Sequence, residues 1–254
     1  MKKPVPLFGE VREIILGSLL GDGSLKIHDG YQNARFSFRH SVIQQEYFMW
    51  KAQKLQSISS ARNIFLQEND GGYSQNKKLR FQSRALESLT ELYRLTHQGK
   101  KFRIRRKWLN QLTALSLAVW WCDDGSIISN GRKGVFCTDG FEEPQVQILA
   151  RYLQSVWDIR TVVAPVQAKR DGTKDQYYRV WIRSTQELRK FLHIILPHIK
   201  TEMMLAKVII LYHDDQLQQR WISEIAANTI FPVTTIERQV RIKKGKWKRY
   251  QKMI

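Results

Sequence analysis

Two stretches, "LLGDGS" at 19–24 and "WCDDGS" at 121–126, each close an apolar run on a carboxylate followed by Gly-Ser. Asp22 and Asp124 are the final acids of the two stretches, and Asp123 stands where the first has Gly21. A single Asp-Gly at a helix end is ordinary turn chemistry. A second copy in the same setting asks for more. Carboxylates brought together without compensation raise one another's pKa. A divalent cation reverses that cost: hard oxygen ligands with open positions suit Mg²⁺, and paired ions clamp the attacking and leaving oxygens of a phosphodiester.

The elements that must position these acids repeat as well. The preceding runs, 10–21 and about 110–123, carry few polar side chains and read as helices buried on more than one face. In a twofold repeat two such helices bury best against each other, which would make Asp22 and Asp124 neighbours. Short alternating segments follow at 25–29 and 127–130, then extended segments at 34–40 and 134–138. Period-two alternation puts Arg35, Ser37 and Arg39 on one face and Phe36 and Phe38 on the other. Helical patterns are predicted at 43–58 and 143–157, and strands at 62–68 with 78–83 and at 160–169 with 176–183. The turns between those strands hold Asp-Gly-Gly at 70–72 and Asp-Gly at 171–172, good hairpin chemistry. Helices at 85–95 and 185–195 complete each half. The fold class is therefore α+β, two pseudo-symmetric αββαββα repeats packed through the two apolar helices.

The domain reading is a first repeat at 1–95, a basic linker at 96–109, a second repeat at 110–227 and a basic tail at 228–254. "THQGKKFRIRRKW" at 96–108 is too basic for a core element. After about 200, one or two closing helices are expected. Residues 237–254 hold eight Lys and Arg against one Glu, with Trp247 and Tyr250 interleaved. That composition fits a disordered solubilising tail and a phosphate-tracking arm equally well.

Composition narrows the partner. Across 254 residues, 42 Lys and Arg against 23 Asp and Glu give a net charge of +19. Such a field concentrates polyanions, and nucleic acid fits better than a membrane surface. No apolar run is long enough to span a bilayer, and no signal-peptide pattern is present. Cys122 and Cys137 are too few for a disulfide framework or a zinc site and read as reduced thiols in an intracellular protein. No glycine-rich loop ends in Gly-Lys-Ser or Gly-Lys-Thr, which argues against a P-loop NTPase.

On Ile15–Gly23 ("ILGSLLGDG") and Leu117–Gly125 ("LAVWWCDDG") the chain resembles the LAGLIDADG homing endonucleases, in the intron-encoded form with two motif copies. "HSVIQQEYFMW" at 40–50 and "LPHIKTEMMLAKV" at 196–208 extend the resemblance to about residues 10–210. It implies that each half supplies a four-stranded antiparallel sheet lying in the major groove of a long, loosely palindromic DNA site. It implies Asp22 and Asp124 as metal ligands, Asp123 and its counterpart Gly21 as metal-site positions with a structural or secondary role, and cleavage that leaves 3′ overhangs. The cofactor would be Mg²⁺ or Mn²⁺, with Ca²⁺ supporting binding without cleavage. The family also places a basic residue near each active centre, which falls on Lys101 of "GKKFRI" and Lys207 of "MLAK". Where it tends to carry Gln beside the scissile phosphates, this chain has His40 and Asp139, a departure that could make the two nicks unequal in rate.

DNA-reading faces should alternate polar and basic residues. In the first half these are Lys26, His28, Arg35, Ser37, Arg39, His40, Gln67, Lys78, Arg80 and Gln82. The second half offers Ser129, Lys133, Asp139, Gln167, Lys169, Arg179, Trp181 and Arg183. The expected function is a site-specific double-strand DNA endonuclease acting as a monomer, in an organelle or in a bacterial or archaeal cytoplasm. The alternative is an intron RNA maturase on the same scaffold. A DNA-binding regulator with a dead site is disfavoured, because both acids are retained. A free-standing intron product is favoured over an intein.

Overall fold

In the computed structural model, residues 7, 9–68, 76–170 and 173–247 are described, with the backbone alone for 168–170 and 173–175. The predicted turns at 70–72 and 171–172, and the tail from 248, lie outside the described residues. Contacts divide the chain into two compact units, Met1–Asp123 and Asp124–Ile254, so the division falls within the second apolar helix.

In the first unit α1 (Glu10–Leu19) leads into β1 (Gly23–Lys26) and β2 (Arg35–Ser41). Next come α2 (Gln45–Lys54), β3 (Ser59–Gln67), β4 (Lys78–Ser83) and α3 (Glu87–Thr96). The sheet order is β1-β2-β4-β3, with every pair antiparallel. Apolar residues explain the layers. Phe36 and Phe38 alternate inward along β2, and Phe38 packs on Phe48 of α2 and Phe81 of β4 at centroid distances of 5.0 and 5.1 Å. The helix expected at 43–58 is shorter, because single 3₁₀ turns at Val42–Gln44 and Gln56–Ile58 flank α2.

The stretch expected to be a linker is folded. The two-residue strands β5 (His97–Gln98) and β6 (Lys101–Phe102) form a small hairpin, followed by α4 (Arg106–Leu109). Ile104, Trp108 and Leu109 are buried. Three core residues are thus set among basic side chains, of which Arg105 itself turns in to donate to the Leu95 and His97 carbonyls at 2.7 and 3.2 Å. α5 (Ala114–Asp124) then starts later than predicted, where the Thr113 hydroxyl accepts the Ser116 amide at 3.3 Å in an N-cap arrangement.

α1 and α5 cross closely within the first unit. A Cβ on Gly17 would lie 2.3 Å from the Ser116 carbonyl oxygen, and one on Gly21 would lie 2.5 Å from Asp123 Cβ. Glycine is needed at both places. Ser116 Oγ donates to the Glu13 carbonyl at 2.9 Å, and Thr113 Oγ1 donates to the Glu13 carboxylate at 2.7 Å. The expected packing through the two motif helices is present.

The second unit repeats the plan. β7 (Gly125–Ile128), β8 (Lys133–Phe136), α6 (Glu143–Trp157), β9 (Val162–Arg170), β10 (Thr173–Ile182) and α7 (Thr185–Ile195) give the sheet β7-β8-β10-β9. α6 and α7 match their predicted bounds closely. Beyond them a 3₁₀ segment, Glu202–Lys207, precedes α8 (Asp215–Asn228) and α9 (Val233–Gly245). α9 replaces much of the expected tail. Ile236, Val240 and Lys243 are buried, which excludes a disordered tail over 233–245.

Candidate metal and nucleic-acid site

Asp22 follows α1 directly and opens toward solvent, its side chain 40% exposed. Its Oδ2 meets His40 Nδ1 at 3.2 Å, in a bent contact. His40 belongs to β2, where alternation from Phe36 and Phe38 turns it to the inner face and leaves it 3% exposed. The ring is held between Phe38 and Tyr47, at centroid distances of 5.5 and 5.2 Å.

Behind His40 lies a buried ion pair. Lys51 of α2 donates to both Asp123 oxygens at 3.0 and 2.9 Å, and its Nζ is 3.4 Å from His40 Nε2. Tyr47, one turn earlier on the same helix face, donates to Asp123 Oδ1 at 2.9 Å. The Asp22 amide adds a longer bond of 3.3 Å to Asp123 Oδ2. Burial, and then the Asp123 charge, push the Tyr47 phenol well above its usual value, so Tyr47 acts as a donor.

Asp22, His40 and Asp123 each offer a ligand atom within 4.8 Å of the others. The donor chemistry fits a divalent cation at Asp22, an exposed hard-oxygen ligand. It fits poorly at Asp123, whose charge is already matched by an ammonium that would repel a second cation. Asp123 is thus a structural acid that anchors α5 to α2. Gly21 contributes the space that lets Asp123 approach.

Asp124 begins the second unit, and its carbonyl accepts the Cys137 amide at 2.9 Å just past β8. Burial raises the Cys137 thiol; Arg179 opposes this, Asp124 and Asp139 reinforce it, and Lys207 opposes it. These charges therefore gather around one strand end. Arg179 of β10 grips Asp139 through two bonds of 2.6 and 2.5 Å, so the acid at 139 is locally neutralised. Lys207 ends the 3₁₀ segment that α9 clamps. Arg238 and Gln239 bind Glu202 at 2.6 and 2.8 Å, and Lys243 Nζ donates to the Ala206 and Ile209 carbonyls at 2.5 and 2.7 Å.

The register corrects one equivalence. Gly23 pairs with Phe38 and Gly125 with Phe136, so His40 corresponds to Thr138, and Asp139 corresponds to Ser41. Continued along the chain, the same correspondence sets Leu149 of α6 at the place of Lys51.

The outer face of the first sheet carries Lys26, Arg35, Ser37, Arg39, Gln67, Lys78, Arg80 and Gln82 together and in register, with no acid among the paired positions described. Arg39 stands directly opposite Arg80, and Lys78 opposite Gln67. His28 is exposed beyond the end of β1, and His40 is on the inner face, so neither shares this surface. Ser24 and Phe65 do share it and were not anticipated; Ser24 Oγ lies 3.1 Å from Ser37 Oγ.

On the second sheet Lys133, Arg179 and Trp181 lie on one face, and Arg183 follows β10 with the same parity. Gln167 pairs with Gln176 on the opposite parity, the side of Val163 and Val180. Ser129 belongs to a tight turn, since it and Asn130 have φ of 53° and 58°. Lys169 pairs with Lys174 through its backbone, and its side chain lies outside the described residues. Lys101 is exposed on β6. Lys51 and Tyr47 were missed. The available signal was a lysine set between Phe48, Ala52 and Leu55 on the apolar stripe of α2.

Residues 12–191 match the family model described as the LAGLIDADG DNA endonuclease family. Among curated proteins, the chain is 27% identical to Protein RecA of Mycobacterium gastri, covering 92% of this chain and 58% of that protein. It is 30% identical to Protein RecA of Mycolicibacterium fallax, covering 75% and 44%. It is also 27% identical to the cytochrome b mRNA maturase bI2 of Saccharomyces cerevisiae, covering 78% and 47%. The chain spans about half the length of these relatives. Among solved structures, it resembles the homing endonuclease I-WcaI bound to its DNA recognition sequence, with a TM-score of 0.66 at 19% identity over 82% of this chain and 89% of that one. Among the described residues, no helix is long and apolar enough to cross a membrane.

Proposed function

The chain belongs to the LAGLIDADG DNA endonuclease family, and from that premise we propose that it is a metal-dependent, site-specific endonuclease cutting double-stranded DNA to leave 3′ overhangs. One observation carries the reading: a basic sheet face in the same unit as a solvent-facing carboxylate at the end of a motif helix. Arg39 and Arg80 stand side by side on that face, where a phosphate backbone would meet adjacent cations. Phosphate contacts would position the duplex while Gln82, Gln67 and Ser37 read base edges.

Asp22 and Asp124 would hold the divalent cations, Mg²⁺ or Mn²⁺. When bound, the metal supplies Lewis acidity and a water of lowered pKa. The chain's own residues orient the ligands and bind phosphate. Lys207, in the charge cluster around Cys137, and the exposed Lys101 would offset charge that develops on the phosphate. Both motifs are in one chain, so a monomer is the proposed active form.

A second reading, an RNA-binding maturase, draws support from the yeast maturase relatives and from the basic α9. The test is cleavage of a plasmid library of randomised sites in Mg²⁺ by wild type, Asp22→Asn and Asp124→Asn, with binding measured in Ca²⁺. The expected result is defined cuts with 3′ overhangs, lost in both variants while DNA affinity persists. Undiminished cleavage by either variant refutes the assignment of that acid. Intron-RNA binding without any DNA cut would favour the maturase.

A further inference from the structure

The buried cluster behind Asp22 has a direction. Lys51 Nζ carries three N–H bonds and faces three acceptors: Asp123 Oδ1 at 3.0 Å, Asp123 Oδ2 at 2.9 Å and His40 Nε2 at 3.4 Å. The side chains of Lys51 and Asp123 are both fully buried. An ammonium has no lone pair, so Nε2 must supply one. The hydrogen of the imidazole then sits on Nδ1, which lies 3.2 Å from Asp22 Oδ2 in a contact too bent for a regular hydrogen bond, so that a small turn of the exposed carboxylate would complete it. Phe38 and Tyr47 flank the ring and oppose a flip that would exchange the two nitrogens. Free imidazole side chains favour hydrogen on Nε2, so the arrangement departs from the default.

We infer that His40 is a positioning residue for Asp22: Lys51 fixes its Nδ1–H tautomer, and that N–H orients the carboxylate that receives the divalent cation. The inference rests on the proposed role of Asp22. Outer partners that fix ligand orientation in this way typically govern metal affinity by about 10- to 100-fold.

The device belongs to one half of the repeat. At the place of His40 the second half has Thr138, whose hydroxyl donates to the Tyr178 carbonyl at 2.7 Å. At the place of Lys51 it has Leu149, and the counterpart of Asp123 is Gly21. Asp124 is therefore oriented by other means, and loss of His40 should weaken one metal site and spare the other.

The tautomer can be read without substrate. In the full chain labelled with ¹⁵N-histidine, long-range ¹H–¹⁵N correlations separate Nδ1–H from Nε2–H rings, and His40→Asn identifies the His40 pattern. An Nδ1–H pattern is expected in wild type. It should be lost or mixed in Lys51→Leu/Asp123→Gly, which installs the residue types found at the corresponding positions of the repeat and leaves no buried charge unmatched. Free Mn²⁺ followed by electron paramagnetic resonance then tests the consequence. His40→Ala should weaken one site by about tenfold or more, whereas His40→Asn, whose amide N–H can replace Nδ1–H, should stay within about threefold. An Nε2–H ring in wild type overturns the inference. So does unchanged Mn²⁺ affinity in a folded His40→Ala, or equal loss in His40→Ala and His40→Asn. Unchanged affinity in Asp22→Asn would instead overturn the functional reading, and the tautomer measurement identifies which has failed.

Discussion

The pair formed by Lys51 and Asp123 makes the sharpest energetic prediction. Lys51→Leu leaves Asp123 fully buried without its ammonium, with Tyr47 at 2.9 Å and the Asp22 amide at 3.3 Å among its remaining partners. Breaking a buried pair from one side typically costs about 3–5 kcal/mol, because the surviving charge loses its counterion and regains no water. Asp123→Gly should cost a similar amount, with about 1 kcal/mol more for glycine at a helix end. Removing both partners leaves no unmatched charge, so Lys51→Leu/Asp123→Gly should cost only about 1–2 kcal/mol, far less than the sum of the single changes. The assay is urea unfolding of the four proteins, followed by tryptophan fluorescence, with the coupling taken from the cycle. A coupling below about 0.5 kcal/mol would mean independent residues. Asp123 would then lack a committed cation, and its exclusion as a metal ligand would collapse.

Two further outcomes are expected. Gly17→Ala puts a Cβ 2.3 Å from the Ser116 carbonyl oxygen, a backbone atom that cannot swing away. It should destabilise by about 1–3 kcal/mol by overpacking, although alanine is the better helix former by about 1 kcal/mol; a raised melting temperature would refute the close helix crossing. Burial, and then Lys246, lower Lys243 to about 7 from its ordinary value of 10.5. Between these two values the unfolded chain binds a proton that the folded chain has released, so stability should rise with pH across that window. Below it the cost of burying the ammonium is present in full. Denaturation midpoints at about pH 6.5 and about pH 9.5 check this; the rise should disappear in Lys243→Met, and an identical slope in the variant refutes the assignment.

The elements most legible in the sequence are those with saturated patterns. The apolar runs ending at Asp22 and Asp124 became α1 and α5, and Phe36 and Phe38 fixed the inward face of β2. α9 was obscured because Ile236 and Val240 are sparse apolar marks in a run of cations, and its buried lysine bonds to carbonyls distant in sequence. The basic stretch before α5 misled for the same reason: Trp108 and Leu109 carry the packing while arginines dominate the composition. His40 is more instructive. Alternation from Phe36 and Phe38 already turned it inward, yet resemblance to a glutamine position suggested a DNA contact. Lys51 could be seen as a break in an apolar stripe, but only the fold brings Asp123 to meet it.

The differences between the halves follow from charge burial more than from the motif itself. A buried lysine facing glycine, or a buried aspartate facing leucine, would each carry an unmatched charge at a cost of several kcal/mol. Lys51 with Asp123 is therefore a self-consistent combination, and losing either charge alone is penalised. The strand ends diverge on the same principle. Arg80 faces Arg39, whereas Arg179 closes on Asp139 and cancels its own charge. On the proposed reading, the first sheet offers a phosphate backbone two adjacent arginines, and the second an arginine held by an acid of its own unit. Asp22 and Asp124 therefore stand in different local surroundings, each within its own unit.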